Sequence, residues 1–376
     1  MGDWSTLPGD LLLAVFDRLH SSVDRLRFRS VCSTWRGAAT PPPIPPIRYP
    51  ILPNSVSSDA GWGFCVSKRI IYSLLPPCNS LPWIFKLERH RHRMRLLDPL
   101  CGSSSPIAPR PPDFPKLFTF LDRNIRELSE EYALKYINPV AESRGNLYSE
   151  KVAVLNNSAG GFILVTIDVS GKLVVYRSGD REWEVMAHFP SPYDDVILRS
   201  CDKFYAVDHT GRTVAFDGAD AKVTEVAESI GGGDKKYLVE REGGELLLVD
   251  KYLMGGMSEE LEWFVAEKAF EFEVWRLDER EGRWVEVSDL GNGAVLVGDN
   301  STFWASTEEC GRRNCIVFRD AFGGGTAAEE GVVRVFDLES GVIEEEAIGA
   351  LFWPPPHWIS AALPDQVQNT TPIKTT

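Results

Sequence analysis

Six prolines fall within residues 41–50, at positions 41, 42, 43, 45, 46 and 50. Such a run fixes φ and removes backbone donors, so it is neither helix interior nor central strand and reads as a stiff extended connector. Whatever precedes it must fold within about forty residues. Whatever follows it has most of the 376 residues with which to build a separate core. The expected organisation is a helical domain over 1–40, a Pro-rich linker over 41–54, a larger β domain over 55–364 and a flexible tail over 365–376.

Between Leu7 and Ala39 the chain reads LPGDLLLAVFDRLHSSVDRLRFRSVCSTWRGAA. Pro8 suits a first helical turn, and Leu11, Leu12, Val15, Phe16 and Leu19 recur at helical spacing while Asp10, Asp17 and Arg18 face away. Ser21 or Ser22 is placed to cap a second helix. Its apolar stripe begins at Val23 and Leu26 and continues through Val31, Cys32 and Trp35 into a third helix, stopped by Gly37, Thr40 and the prolines. Forty residues of helix cannot enclose all of Leu7, Leu12, Val15, Phe16, Val31 and Trp35, so a partner or the second domain must cover some of them.

The order Leu7-Pro8, Asp10-Leu11-Leu12, Val15-Phe16, Leu19 and Val31-Cys32-x-x-Trp35-Arg36 resembles an F-box. Val15-Phe16 stands where Ile-Leu is more usual, and Asp10 where Glu is common. The resemblance implies docking to the Skp adaptor, which hangs on a cullin scaffold with a RING subunit and a ubiquitin-conjugating enzyme. Carried over position by position, the implied adaptor-binding residues are Leu7, Pro8, Leu11, Leu12, Val15, Phe16, Leu19, Leu26, Val31, Cys32 and Trp35.

Beyond residue 150 short β-branched and aromatic runs alternate with Gly and Asp, which is strand patterning. Phe162–Asp168, Gly171 and Leu173–Tyr176 form one hairpin, and Phe204–Asp208, Gly211 and Thr213–Phe216 repeat it with an offset of 40 residues from Asp168 to Asp208, about the length of a four-stranded propeller blade. Further hairpins are expected around Asp278 and Gly282 and around Asp337 and Gly341, at irregular spacing. In each, Asp can bond the neighbouring backbone and Gly can take positive φ, so neither needs a ligand. A closed ring of blades accommodates many short strands without exposed edges.

Lys203–Asp208 with Gly211, Phe272–Asp278, Val287–Gly291, Arg313–Phe318 and Trp353–Trp358 resemble, in order, a plant F-box-associated β-propeller family related to kelch repeats. The resemblance implies a mainly β fold, in which a three-helix F-box is followed by a β-propeller-like domain. The stretch 55–125 matches poorly. Only Met94-Arg-Leu-Leu-Asp98-Pro-Leu100 approaches the family's pattern there, so eroded or irregular first blades are expected.

The formal net charge of −14 and pI near 5.0 oppose a nucleic-acid partner. Acids at Asp3 and Asp10 oppose a signal peptide, and no run is long enough to span a bilayer. The seven scattered cysteines fit reduced thiols in the nucleus or cytoplasm, where Asn156, Asn300 and Asn369 would not be glycosylated. Gly2 formally matches a myristoylation signal, but no polybasic second anchor accompanies it, so no membrane partner is expected.

Arg89, Arg91, Arg93 and Arg95, interleaved with His90 and His92, would share one face of a strand and read as a solvated, aggregation-resistant edge. Cys310 and Cys315 lack a second ligand pair for zinc, the histidines match no hydrolase or metal spacing, and Gly231–Gly233 and Gly323–Gly325 lack phosphate-loop spacing. Neither a catalytic residue nor a cofactor or metal is expected. Tryptophans 263, 275, 284, 304, 353 and 358 are expected to fill gaps between blades with their N–H groups on backbone. By analogy with propellers, 190–196, 252–260 and 319–331 are candidate partner surfaces.

The expected function is a non-catalytic substrate receptor of a Skp-cullin-F-box ubiquitin ligase, its propeller holding a target protein. The alternative is an F-box scaffold or transcriptional regulator working outside the ligase. A propeller enzyme tethered by the F-box is a third reading.

Overall fold

A computed structural model describes residues 4–19, 21–39, 52–53, 63–76, 80–90, 93–102, 124–137, 148–156, 161–168, 170–186, 192–218, 222–254, 269–319, 333–344, 349–352, 355–356 and 359. A 3₁₀ turn at Trp4–Thr6 precedes α1 (Gly9–Asp17), α2 (Ser22–Ser30) and α3 (Ser33–Ala38). Pro8 takes the position before α1 in an extended conformation. Ser21 caps α2, its hydroxyl accepting the Asp24 N–H at 3.4 Å, as the sequence suggested. Leu12, Phe16 and Phe28 are buried at the centre of the three helices, joined by Leu7, Leu19 and Trp35.

The β region follows in five groups of strands. The first holds β1 (Leu52–Pro53), β2 (Gly63–Leu74), β3 (Trp83–His90), β4 (Arg93–Leu97) and β5 (Ile125–Ile137). Next come β6 (Tyr148–Asn156), β7 (Phe162–Asp168), β8 (Leu173–Arg177) and β9 (Glu184–Val185), then β10 (Tyr193–Leu198), β11 (Phe204–Asp208), β12 (Thr213–Phe216) and β13 (Thr224–Ala227). The fourth group is β14 (Lys235–Arg241), β15 (Glu245–Met254), β16 (Ala269–Asp278) and β17 (Arg283–Glu286). The fifth is β18 (Gly293–Val297), β19 (Thr302–Ser306), α4 (Thr307–Cys310), β20 (Cys315–Arg319), β21 (Val333–Asp337) and β22 (Ile343–Glu344), followed by α5 (Gly349–Phe352).

The middle three groups are four-stranded antiparallel meanders. The first and last are permuted: β5 pairs with β2, giving the order β5-β2-β3-β4, and the fifth sheet runs β19-β18-β20-β21-β22 with β18 and β20 parallel. β5 and β6 join the first two blades through the single pair Ala133 and Lys151. β6 packs beside β10, β10 beside β14, β14 beside β19 and β19 beside β5. The described strands therefore close a ring of five blades, with β5, β6, β10, β14 and β19 around its axis.

The poorly matching stretch 55–125 contains the regular strands β2, β3 and β4, so the first blade is not eroded; its permuted order is the irregularity that the sequence leaves open. The end of the expected linker is also structured, because Leu52 and Pro53 pair with Phe64 and Gly63. The prolines at 41–50 and the tail 365–376 lie outside the described residues. The arginine stripe is not one strand: β3 ends at His90, β4 starts at Arg93, and the two are antiparallel partners.

The Asp–Gly hairpins have the expected turn chemistry. Asp168 Oδ1 accepts the N–H groups of Ser170 and Lys172 at 2.9 Å, and Asp208 Oδ1 those of Thr210 and Arg212 at 2.9 and 3.1 Å. Asp278 and Asp337 repeat this at their own turns. Their spacing is irregular because the first two lie between middle strands of a blade, β7–β8 and β11–β12, and the others between outermost strands, β16–β17 and β21–β22. Gly171 sits at φ +77° with Pro192 against it, and an added Cβ would lie 2.4 Å from the Pro192 Cβ. Gly171→Ala is expected to lower stability by about 1–3 kcal/mol, read as a urea midpoint shift at unchanged m.

Candidate functional site

The helical module is too small to hide its apolar side chains, and the structure shows which are left outside. Ten large hydrophobic residues are exposed among those described, and six of them, Trp4, Leu11, Leu13, Val15, Leu26 and Val31, belong to this module of under forty residues. Leu12 is fully buried, whereas Leu11 beside it is 51% exposed. Leu11 and Val15, four apart on α1, share a flank distinct from the Leu12 and Phe16 face that α3 covers.

The eleven residues singled out in the sequence thus divide. Leu7, Leu12, Phe16, Leu19 and Trp35 point toward the module's own core. Pro8, Leu11, Val15, Leu26 and Val31 are exposed, and Cys32, half-buried, precedes α3. Leu13 and Trp4 are exposed apolar residues that the sequence reading did not single out. Net exposure cannot be read from periodicity alone when a helix carries six apolar residues in a row, as Leu11–Phe16 does.

Val23 has a different destination. It is buried against Tyr72, Leu74, Trp83, Phe85 and Ile125 of the first blade. Arg27 donates to the Ile125 carbonyl at 3.2 Å and the Ser21 hydroxyl to Glu127 at 3.3 Å. The module therefore rests directly on the propeller, where β2 ends and β5 begins, and its placement does not depend on the Pro-rich connector alone. The apolar stripe of α2 is shared: Val23 faces the propeller and Leu26 faces outward.

At the axis lies a cavity of about 460 Å³, lined by the innermost strands, including Glu127, Tyr132, Lys151, Leu238 and Trp304. Lys151 and Glu240 are engaged by residues behind the lining. Lys151 contacts Asp195, while Glu240 accepts from the Ser200 N–H and hydroxyl at 2.9 and 2.7 Å and meets Arg199 at 3.4 Å. Asp195 and Asp194 of β10 also accept the Leu238 and Lys236 N–H groups of β14 at 2.9 and 3.0 Å, sewing two blades together.

The strands flanking the three candidate partner segments, 190–196, 252–260 and 319–331, reach one end of the ring. β10 begins there, β15 ends there, and β20 ends there, whereas the module rests at the other end, beside Ile125. Residues 255–260 and 320–331 themselves lie outside the described residues.

Other singled-out residues take structural positions. Trp284 donates to the Gly211 carbonyl of the neighbouring blade at 3.0 Å; Trp83, which the sequence reading did not single out, donates to the Phe352 carbonyl at 2.8 Å and so holds α5 against the first blade. Trp304 is nearly buried beneath the Arg241 guanidinium. Tryptophans 263, 353 and 358 lie outside the described residues. Cys310 and Cys315 are buried, and burial pushes their thiols up to about 11 and about 12, which keeps them protonated near neutral pH. Among the described residues no group of three or more His, Cys, Asp or Glu is arranged to hold a metal ion, and no helix is long and apolar enough to cross a membrane.

Two family models match the two parts of the chain, one described as F-box-like over residues 4–42 and one as KIB1-4 beta-propeller over residues 70–337. The F-box protein SKIP23 of Arabidopsis thaliana is 41% identical over 96% of this chain and 96% of its own. The chain belongs to the plant F-box proteins with a KIB1-4 beta-propeller. A second Arabidopsis thaliana F-box protein of this kind is 35% identical over 99% of this chain and 98% of its own, and an F-box/kelch-repeat protein of the same plant is 25% identical over 82% and 81%. Among solved structures, a virginiamycin B lyase from Staphylococcus aureus aligns with a TM-score of 0.30 at 9% identity, over 76% of this chain and 89% of that one, too slight a likeness to bear on function. Within this F-box family the helical module is the F-box and the five-bladed ring is the propeller.

Proposed function

We propose that this F-box protein is the substrate-recognition subunit of a Skp-cullin-F-box ubiquitin ligase. The F-box holds the Skp adaptor and through it cullin and RING subunits, and the propeller holds a target protein, in the nucleus or cytoplasm. The chain's contribution is proximity: it brings a target to the conjugating enzyme and performs no bond chemistry itself. The observation that carries this reading is the concentration of exposed apolar residues on the F-box, with Leu11 and Val15 on α1 and Val31 at the end of α2. Burying each contributes roughly 1.5–3 kcal/mol, so a few such anchors dominate a protein interface.

A double variant, Val15→Asp with Val31→Asp, changes two exposed positions and should leave the circular dichroism spectrum intact. Its affinity for a purified plant Skp adaptor is expected to fall at least ~100-fold, because two apolar contacts are lost and two carboxylates are buried in their place. Affinity within about threefold of the wild type would remove the F-box surface from adaptor binding. Adaptor binding without recruitment of cullin would favour a role outside the ligase.

The target is expected on the end of the ring remote from the F-box, where the strands flanking 252–260 and 319–331 emerge. Replacing residues 255–260 with a Gly-Ser segment should abolish target capture while adaptor binding is retained, measured by recovery of ubiquitinated protein on the variant and on the wild type. Undiminished capture would move the target site elsewhere on the propeller.

A further inference from the structure

We propose that Ile359, which follows the last blade, is a positioning residue for ubiquitin transfer: together with Val23 of α2 it clasps the F-box to the first blade and so fixes the direction in which the propeller faces the adaptor. The proposal rests on the ligase reading given above. Ile359 is buried, with 1% of its surface exposed, in the same apolar cluster as Val23. Every other buried member of that cluster comes from the first blade: Tyr72 and Leu74 from β2, Trp83 and Phe85 from β3, and Ile125 at the start of β5. Three parts of the chain that are remote in sequence therefore close one apolar seat.

Trp83 links the seat to the closure of the ring. Its ring stacks on Phe85 at 4.4 Å within the cluster, and its N–H donates to the Phe352 carbonyl at 2.8 Å. Leu351 and Phe352 of α5 are buried with Ile71 and Ile84 of the first blade and Leu296 and Val317 of the last. The segment that carries Ile359 is thus anchored on the propeller before it reaches α2. The polar ties of α2 are weaker holds. Arg27 to the Ile125 carbonyl and Ser21 to Glu127 are only partly buried, and water competes for both. Apolar burial has no such competitor, so Val23 and Ile359 supply most of the adhesion. Leu12, Phe16 and Phe28 form a separate cluster, so the clasp can open without unfolding the F-box.

The test uses the full chain carrying Val23→Cys, which places a small apolar thiol in the seat. Alkylation at position 23, read by mass spectrometry, reports the fraction of molecules with the clasp open, and the exposed Cys201 of the same chain gives the rate for an open thiol. Position 23 is expected to react at least ~100-fold more slowly than Cys201. Adding Ile359→Ala should speed it about 10- to 100-fold, and Ile359→Asp should bring it near the Cys201 rate. Adaptor affinity should not change. In a ligase reconstituted from purified adaptor, cullin, RING subunit and conjugating enzyme, the chain's own lysines serve as acceptors. Wild type should place ubiquitin on a few of them, and Ile359→Asp should spread it over more. A purely structural residue would lower stability and leave that distribution alone.

If both Ile359 substitutions leave position 23 as unreactive as before, or if the clasp opens and the ubiquitin sites do not change, Ile359 is not a positioning residue, and the F-box reading stands on adaptor binding. If the wild type itself fails to bind the adaptor, the ligase reading falls and the positioning role falls with it.

Discussion

Glu131→Ala is expected to destabilise the propeller by about 3–5 kcal/mol, the usual consequence of breaking a buried ion pair from one side. Glu131 lies on β5 in the first blade with its carboxylate fully enclosed. Arg69 of β2 reaches it at 2.7 Å and Lys86 of β3 at 2.8 Å, and the Ser301 hydroxyl of the last blade donates to it at 2.8 Å. Glu88 meets Arg69 at 3.3 Å, so two cations face two carboxylates inside the sheet. Arg69 and Lys86 also donate to the Gly102 and Cys101 carbonyls at 2.9 and 3.0 Å. Removing Glu131 leaves two enclosed cations with one carboxylate and takes away one of the acceptors that join the first blade to the last. Urea denaturation should show the loss, and adding Lys86→Met to Glu131→Ala should recover part of it by removing one uncompensated charge. A loss under 1 kcal/mol would mean that water reaches the network and screens it.

The same network gives a pH dependence of defined sign. Burial alone would raise the Glu131 carboxyl, but Lys86 and Arg69, as charges and as donors, hold it below its ordinary value of 4.5. A depressed carboxylate contributes stability that is fully present above the unfolded pKa and is lost as pH falls through the folded one. The stability gap between wild type and Glu131→Ala should therefore be constant near neutrality and narrow as the solution is acidified below about 4.5. A gap that widened on acidification would contradict the assignment of Glu131 as an ionised partner.

These four charges also explain where the sequence was hard to read. β2, β3 and β5 carry Arg69, Lys86, Glu88 and Glu131 at positions that a strand enclosed by protein would normally give to apolar residues. The ion pairs among them join residues 19 to 62 positions apart, so no local window reveals the cancellation. The F-box was legible because its signal is local: helical spacing, a Ser cap and a proline stop. The middle blades were legible because Asp168 and Asp208 satisfy their own turns within four residues. Ring closure was not. It depends on β5 returning to pair with β2 and on β20 lying parallel to β18, pairings between segments whose patterns are interchangeable along the chain. In the candidate site, sequence motif identified the F-box residues, but burial alone separates Leu12, which holds the module together, from Leu11, which faces outward.

That separation sets up two neighbouring substitutions with opposite consequences. Leu12→Asp places a carboxylate in an apolar cluster with Phe16, Phe28, Leu7 and Trp35. Truncating such a leucine to alanine costs about 2–5 kcal/mol, and a buried charge costs more, which exceeds what a three-helix core of this size can supply. The F-box is expected to unfold, with loss of helical circular dichroism, rapid proteolysis between residues 9 and 38, and no adaptor binding. The propeller should keep its own thermal transition, because among the described residues its apolar clusters take only Val23 from the F-box. Leu11→Asp, one residue earlier, changes a side chain that is already half in water, so the helices should persist and proteolysis should match wild type. Adaptor affinity should fall all the same, because the new carboxylate would be desolvated in the complex. Matched proteolysis with lost binding for Leu11→Asp, set against unfolding for Leu12→Asp, would separate the surface that recruits the adaptor from the core that presents it. If both variants unfolded, the exposed flank of α1 would have to be covered within the chain itself, and the F-box would be a structural cap on the first blade.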